Sequence, residues 1–277
     1  MSSFARETEV LLAAVREAGA IAQGYFGGAL SVEDKPDDQG PVSEADRACD
    51  ALLRQRFGEA FPDDALLSEE TQDDGRWRSA RRVWIIDPID GTQEFVEGVD
   101  QYAIMVGLCV DGRPALGAVY APARALLVHG EVGAGARVIE GDHERRLVVG
   151  QERIGPRWTI MVSRSHRSAR DERVCDALGE VELKPRGSVG LKLAAIAQGE
   201  ADCYVTSTSH IKLWDTCGPQ AVIEAAGGVL LDLCGSQLDY RTALAHPRGL
   251  LACPAALRDQ ILSKTRPIAA DFYGAEI

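Results

Sequence analysis

The chain has 277 residues, 45% hydrophobic and 26% charged, with a formal net charge of −12. That composition fits one large globular domain or two; no apolar run nears the ~20 residues of a membrane span, and no Lys/Arg run could track a nucleic-acid backbone. The seven cysteines are scattered without a C-x-x-C pair and the opening MSSFARETEV lacks an apolar signal core, so a reduced, cytoplasmic setting is expected rather than export or a disulfide framework.

Val10, Leu11, Ala14, Val15, Ala18, Ile21 and Ala22 recur at helical spacing, which predicts an amphipathic helix stopped by Gly27 and Gly28. EDKPDDQGP reads as a loop or tight hairpin. A second helix is expected from Ser43, with Ala45, Ala48, Leu52, Leu53 and Phe57 inside and Ser43 with Asp46 as a capping box. Pro62–Asp64 make a turn before LLSEE, and the charged TQDDGRWRSARR leads to the apolar run Val83–Ile86. Tyr102–Val110 reads as a strand, Asp111-Gly112 as a hairpin turn and ALGAVYAPA as its partner. LLVHGEVGAGARVIEGD suggests further short strands. The apolar signal drops around Gly150–Pro156, giving a division into 1–150 and 151–277. Beyond it follow a strand (WTIMVS), a helix (RSARDERVCDALG), helix then strand (LKLAAIAQGEADCYV), a helix over Thr216–Ala226 closed by Gly227 and Gly228, and strands at Val229–Leu233 and LLACP. The first half reads as α+β with an antiparallel sheet, the second as alternating α/β.

The informative stretch is WIIDPIDGTQEF, where an apolar strand runs into Asp87, Pro88 and Asp90. Two neighbouring carboxylates raise each other's pKa unless a cation or hydrogen bonds hold the charge. Glu69 and Glu70 also follow an apolar pair, and so does Asp215 after Leu213-Trp214. Hard cations such as magnesium take oxygen ligands, and two such ions can activate water against a phosphate ester. Pro88 stiffens the turn, and Gly91 and Thr92 open a helix start suited to an anion. Plainer readings stand beside these: a surface Asx turn for D-P-x-D-G, a solvated edge for Glu69-Glu70, an N-cap for Asp215, and a capping acid for Asp46.

LLSEE, WIIDPIDGTQEF and WDTCGPQAVIEAAGG, in this order, together with KPDDQGPVSEAD, resemble the magnesium-dependent, lithium-sensitive phosphomonoesterases of the inositol monophosphatase superfamily. The resemblance spans nearly the whole chain. It implies a layered α/β/α/β/α sugar-phosphatase fold and two or three Mg2+ ions. Glu69, Asp87 and the Ile89 carbonyl would hold the first metal. Asp87, Asp90 and Asp215 would hold the second, and a weaker third would lean on Glu69. Thr92, bonded to Asp46, would orient the attacking water, with Glu70 beside it, so that catalysis rests on Thr92, Asp46, Glu69 and Glu70. The amides of Gly91 and Thr92 would cradle the phosphate. The family also commonly forms homodimers.

Inositol phosphatases usually carry a Glu seven residues before the W-D aspartate, where Thr208 stands here. SRSH, GSVGLK, K-x-W-D-T-C and LDY resemble instead the 3′(2′),5′-bisphosphate nucleotidases, which remove the 3′-phosphate of 3′-phosphoadenosine 5′-phosphate, a role in sulfate assimilation or nucleotide salvage. A second phosphate needs a cationic or hydroxyl-rich site. Ser163, Arg164, His166, Gly187, Ser188, Lys192 and Lys212 are the candidates, although Lys192 also reads as an exposed helix residue and His166 as a helix cap. Cys217 reads as a packed small residue rather than a nucleophile. An inositol or other sugar-phosphate phosphatase is the alternative, and a non-catalytic metal and phosphate sensor is a third.

Overall fold

The apolar run before Asp87 becomes the interior of β4 (Arg82–Asp90), a strand buried on both faces. The computed structural model of the protein describes residues 3–28, 32–34, 41–150, 152 and 155–274. β1 (Val32–Asp34) and β2 (Pro41–Ser43) form an antiparallel pair; the loop expected over Lys35–Gly40 lies outside the described residues. β4 lies in a seven-stranded sheet with β3 (Ala65–Ser68), β5 (Ala103–Val110), β6 (Arg113–Ala121), β7 (Leu126–Glu131), β8 (Gly135–Glu140) and β9 (His143–Leu147), in sequence order. Within this sheet β3 and β4 pair in parallel and the other neighbours pair antiparallel. The hairpin at Asp111-Gly112 has both residues at positive φ, 50° and 78°, as a twist-matched two-residue turn requires.

The second sheet has the order β11 (Val181–Arg186), β10 (Trp158–Ser163), β12 (Cys203–Thr206), β14 (Leu250–Pro254), β13 (Gly228–Leu231). Pro185 falls in β11, an edge strand, where a missing donor is tolerated.

Helices fill the spaces between and outside the sheets. α1 (Ala5–Tyr25) and α2 (Glu44–Ala60) cover one face of the large sheet through Leu11, Val15, Leu53 and Phe57 against Trp84 and Ile86. α5 (Val189–Ala197) and α6 (Leu213–Ala225) lie between the sheets, where Leu193, Ile196, Cys217 and Ile223 join Val83, Ile85, Tyr204 and Ala252. α4 (Ala169–Leu178) and α7 (Arg258–Tyr273) close the outer face of the small sheet. The layers therefore run α/β/α/β/α, as expected. No helix among the described residues is long and apolar enough to cross a membrane.

Four stretches differ from the sequence reading, the first being β11, which no expectation covered. α2 buries Cys49 and Asp50 where Ala48 and Leu52 were expected to face inward; the latter two are half-buried. HERRL forms β9, an exposed edge with no apolar alternation to announce it. α7 carried no expectation, and two of its apolar residues, Ile261 and Leu262, complete the last core.

Candidate active site

Strand pleating explains why the aspartates meet. Val83 and Ile85 face the layer containing α6, while Trp84 and Ile86 face α1 and α2, so Asp87 continues the first face. Asp90 would then fall on the opposite face. Between them the register slips: Asp87 pairs with Met105 and Asp90 with Ala103, three steps on β4 against two on β5. The extra residue is a β-bulge, which re-aims the following side chain, and Pro88 sits inside it, where a ladder donor is dispensable. Asp215, in the first turn of α6, completes the set: one carboxylate oxygen from each of Asp87, Asp90 and Asp215 lies within 4.8 Å of the other two.

Asp215 is not the N-cap of its helix. Lys212 holds that position and donates its backbone N–H to Asp215 Oδ2 at 2.6 Å. Burial, then the charges of Asp90 and Glu69, push the Asp215 carboxyl well above the usual carboxylate range. Asp90 is also raised, first by burial, with Lys192 and the hydrogen bond from Ser188 pulling the other way. Ser188 Oγ and the Gly190 amide both donate to Asp90 Oδ2, at 2.5 and 2.9 Å. Glu69 follows β3 and donates its N–H to the Ile86 carbonyl at 3.2 Å, which sets it next to Asp87. Oxygen donors alone converge here, which fits a hard divalent cation, and Glu69, Asp87, Asp90 and Asp215 are the side chains that could hold it.

Gly91 turns the chain at φ 90°; a Cβ there would lie 2.9 Å from the Gln101 carbonyl oxygen, so only glycine suits. It opens the short helix α3 (Thr92–Val96). Thr92 Oγ1 donates to Asp46 Oδ1 at 3.1 Å or to the Ile89 carbonyl at 3.0 Å; one proton serves one acceptor at a time. Asp46 is fully buried in the capping box of α2, its Oδ2 accepting from the Ser43 amide and hydroxyl at 2.9 and 2.5 Å. Its capping and Thr92-holding readings are therefore both met. Glu70 lies in the field of the exposed Arg47.

The candidate second-anion residues divide. Gly187 donates its amide to Gln101 Oε1 at 2.8 Å and lies against Glu94, while Ser188 and Lys192 stand beside Asp90. Lys192 is not an exposed helix residue: it is 3% exposed, with Nζ 3.2 Å from the Arg186 carbonyl and 5.3 Å above the Tyr204 ring. Burial pulls its ammonium down to about 8, opposed by Asp90, Glu94 and Asp215. Arg164 pairs with Glu94 at 3.3 Å and Glu97 at 2.8 Å. Ser163 Oγ accepts the His166 amide at 3.0 Å, and the His166 ring meets Ser165 Oγ at 2.8 Å, so these two bond locally. Thr208 is half-buried in the segment after β12. Sequence reasoning passed over Glu94, buried beside Gly187; nothing in TQEF distinguishes it from a solvated helix acid.

Residues 5–269 match the inositol monophosphatase family. The chain is 33% identical over 230 residues to the 3′(2′),5′-bisphosphate nucleotidase CysQ of Shigella flexneri, covering 81% of this chain and 90% of the relative. It is 30% identical over 243 residues to a histidinol-phosphatase of Chlorobaculum parvum, covering 83% and 87%. Among solved structures, the extragenic suppressor protein suhB of Bartonella henselae superposes with a TM-score of 0.81 at 24% identity, over 95% of this chain and 99% of that one, a likeness of fold.

Proposed function

The chain belongs to the inositol monophosphatase family and is a phosphatase of that family; from that premise we propose that it is a magnesium-dependent 3′(2′),5′-bisphosphate nucleotidase of the cytoplasm, releasing the 3′-phosphate of 3′-phosphoadenosine 5′-phosphate. The observation that supports the chemistry is the convergence of Asp87, Asp90 and Asp215 beside the Thr92–Asp46 pair. The nucleotide preference rests on the 33% identity to CysQ over most of both chains, and on Thr208 standing where inositol phosphatases usually carry Glu.

Magnesium held by Glu69, Asp87, Asp90 and Asp215, with the Ile89 carbonyl, would lower the pKa of water and offset phosphate charge. The side chains then have separable tasks. With its proton given to Asp46, the Thr92 hydroxyl accepts a hydrogen bond from the attacking water and aims that water's free lone pair at phosphorus. Glu70 receives the water's proton. The amides of Gly91 and Thr92, at the start of α3, hold phosphate oxygens. The bond from phosphorus to O3′ breaks as water adds, and the leaving oxygen takes up a proton. No covalent phosphoenzyme forms. The second phosphate falls to the exposed Arg164 and His166 and the half-buried Ser163 and Lys212, since the Gly187 amide, the Ser188 hydroxyl and the Lys192 ammonium are already engaged within the protein.

A second reading, hydrolysis of histidinol phosphate or a sugar phosphate, draws on the 30% identity to the histidinol-phosphatase. Specificity constants separate the two. We expect 3′-phosphoadenosine 5′-phosphate to exceed inositol 1-phosphate and histidinol phosphate by tenfold or more, about 1.4 kcal/mol of transition-state preference. A higher value for either competitor would replace the nucleotide reading while keeping the phosphatase.

A further inference from the structure

α2 grips a second catalytic segment besides Thr92. Asp46 and Asp50 are four residues apart and so share one face of the helix. Asp50 is 5% exposed, and a carboxylate so buried is ordinarily paired. Its nearest guanidinium, on Arg54, stands 4.0 Å away on a side chain 43% exposed, a weak partner. Two hydroxyls supply the compensation. Ser68 Oγ donates to Asp50 Oδ1, and Thr71 Oγ1 donates to Asp50 Oδ2 at 2.9 Å. Ser68 and Thr71 are the residues on either side of Glu69-Glu70. Each oxygen of one buried carboxylate thus holds one end of the turn that carries both glutamates.

We infer that Asp50 is a positioning residue for the Glu69-Glu70 turn, so that one face of α2 sets both that turn, through Asp50, and Thr92, through Asp46. The inference rests on the reading of Glu69 as a metal ligand. A turn tied at both ends loses little freedom when a cation binds, and ordering cost is what weakens a flexible site. Releasing one tie should therefore weaken metal binding more than it slows turnover once metal is bound.

The test uses the full chain with Thr71→Ala, Thr71→Ser and Asp50→Ala, and two readouts. One is the magnesium concentration for half-maximal phosphate release. The other, without substrate, is the magnesium concentration that gives half of the metal-induced rise in unfolding temperature. We expect Thr71→Ala and Asp50→Ala to raise both concentrations tenfold or more, with kcat at saturating magnesium within about threefold of wild type, and Thr71→Ser to restore both. Thr71 is half-buried and outside regular structure, so Thr71→Ala decides the matter if Asp50→Ala does not fold. A lower unfolding temperature with unchanged magnesium dependence would make the tie merely structural and overturn the inference. Wild-type protein showing neither metal-induced stabilisation nor metal-dependent turnover would instead overturn the proposed function, and the inference with it.

Discussion

Asp90→Asn is expected to abolish turnover, by about a thousandfold or more, roughly 4 kcal/mol of transition-state stabilisation, while the metal-free protein keeps its unfolding temperature. The two effects separate because Asp90 uses its oxygens differently. Both protein donors, Ser188 Oγ and the Gly190 amide, converge on Oδ2, and the amide oxygen of asparagine can take that place. The remaining atom becomes an NH2 group, which has no lone pair to offer a cation. Asparagine keeps the shape of the side chain and both of these donors, so the isostere costs the fold little. Phosphate release and thermal unfolding of the same preparation check this. Near-wild-type activity would show that Asp90 is not a metal ligand.

Gly117→Ala is expected to destabilise the protein by more than about 3 kcal/mol, beyond the usual range for a single added methyl because backbone must move. A Cβ on Gly117 would lie 2.3 Å from the carbonyl oxygen of Gly218 and 2.8 Å from its Cα. Gly107 faces Gly117 across the β5–β6 pair, and its added Cβ would lie 2.6 Å from the Gly218 amide nitrogen. The two glycines open a groove in the sheet, and α6 rests its own Gly218 in it, three residues beyond Asp215. No side-chain rotation relieves these contacts. For a chain of this size the unfolding temperature should fall by roughly 6–12 °C. Folded survivors should have lost activity, since lifting α6 carries Asp215 away from Asp87 and Asp90. A variant melting within 2 °C of wild type at full activity would contradict this packing account.

The glycine groove marks the limit of what the sequence discloses. ALGAVYAPA reads correctly as the strand that becomes β6, but nothing local says that its glycine receives a helix backbone. Local signals were legible where the chain answers to its neighbours in sequence: the Ser43–Asp46 capping box, the Asp111-Gly112 hairpin, and the apolar run into Asp87. That carboxylates at element ends could gather into a metal site was legible in the residues, but which of them share a metal was expected only by resemblance, because it depends on a bulge at residues 88–89 and on α6 arriving from the second half of the chain. Asp50 was missed because a carboxylate at an inner helical position contradicts apolar patterning, and its hydroxyl partners lie 18 and 21 residues away. Asp215 was read in its simplest form as an N-cap; the backbone amide of Lys212 instead makes it a third-position acid reaching backwards.

The most direct test of the central claim is phosphate release from 3′-phosphoadenosine 5′-phosphate by protein stripped with a chelator and then titrated with magnesium. No release is expected from the stripped protein, and release should return and saturate as magnesium is restored. Undiminished release from the stripped protein would contradict that claim, and the carboxylates around Asp87 would then need another purpose.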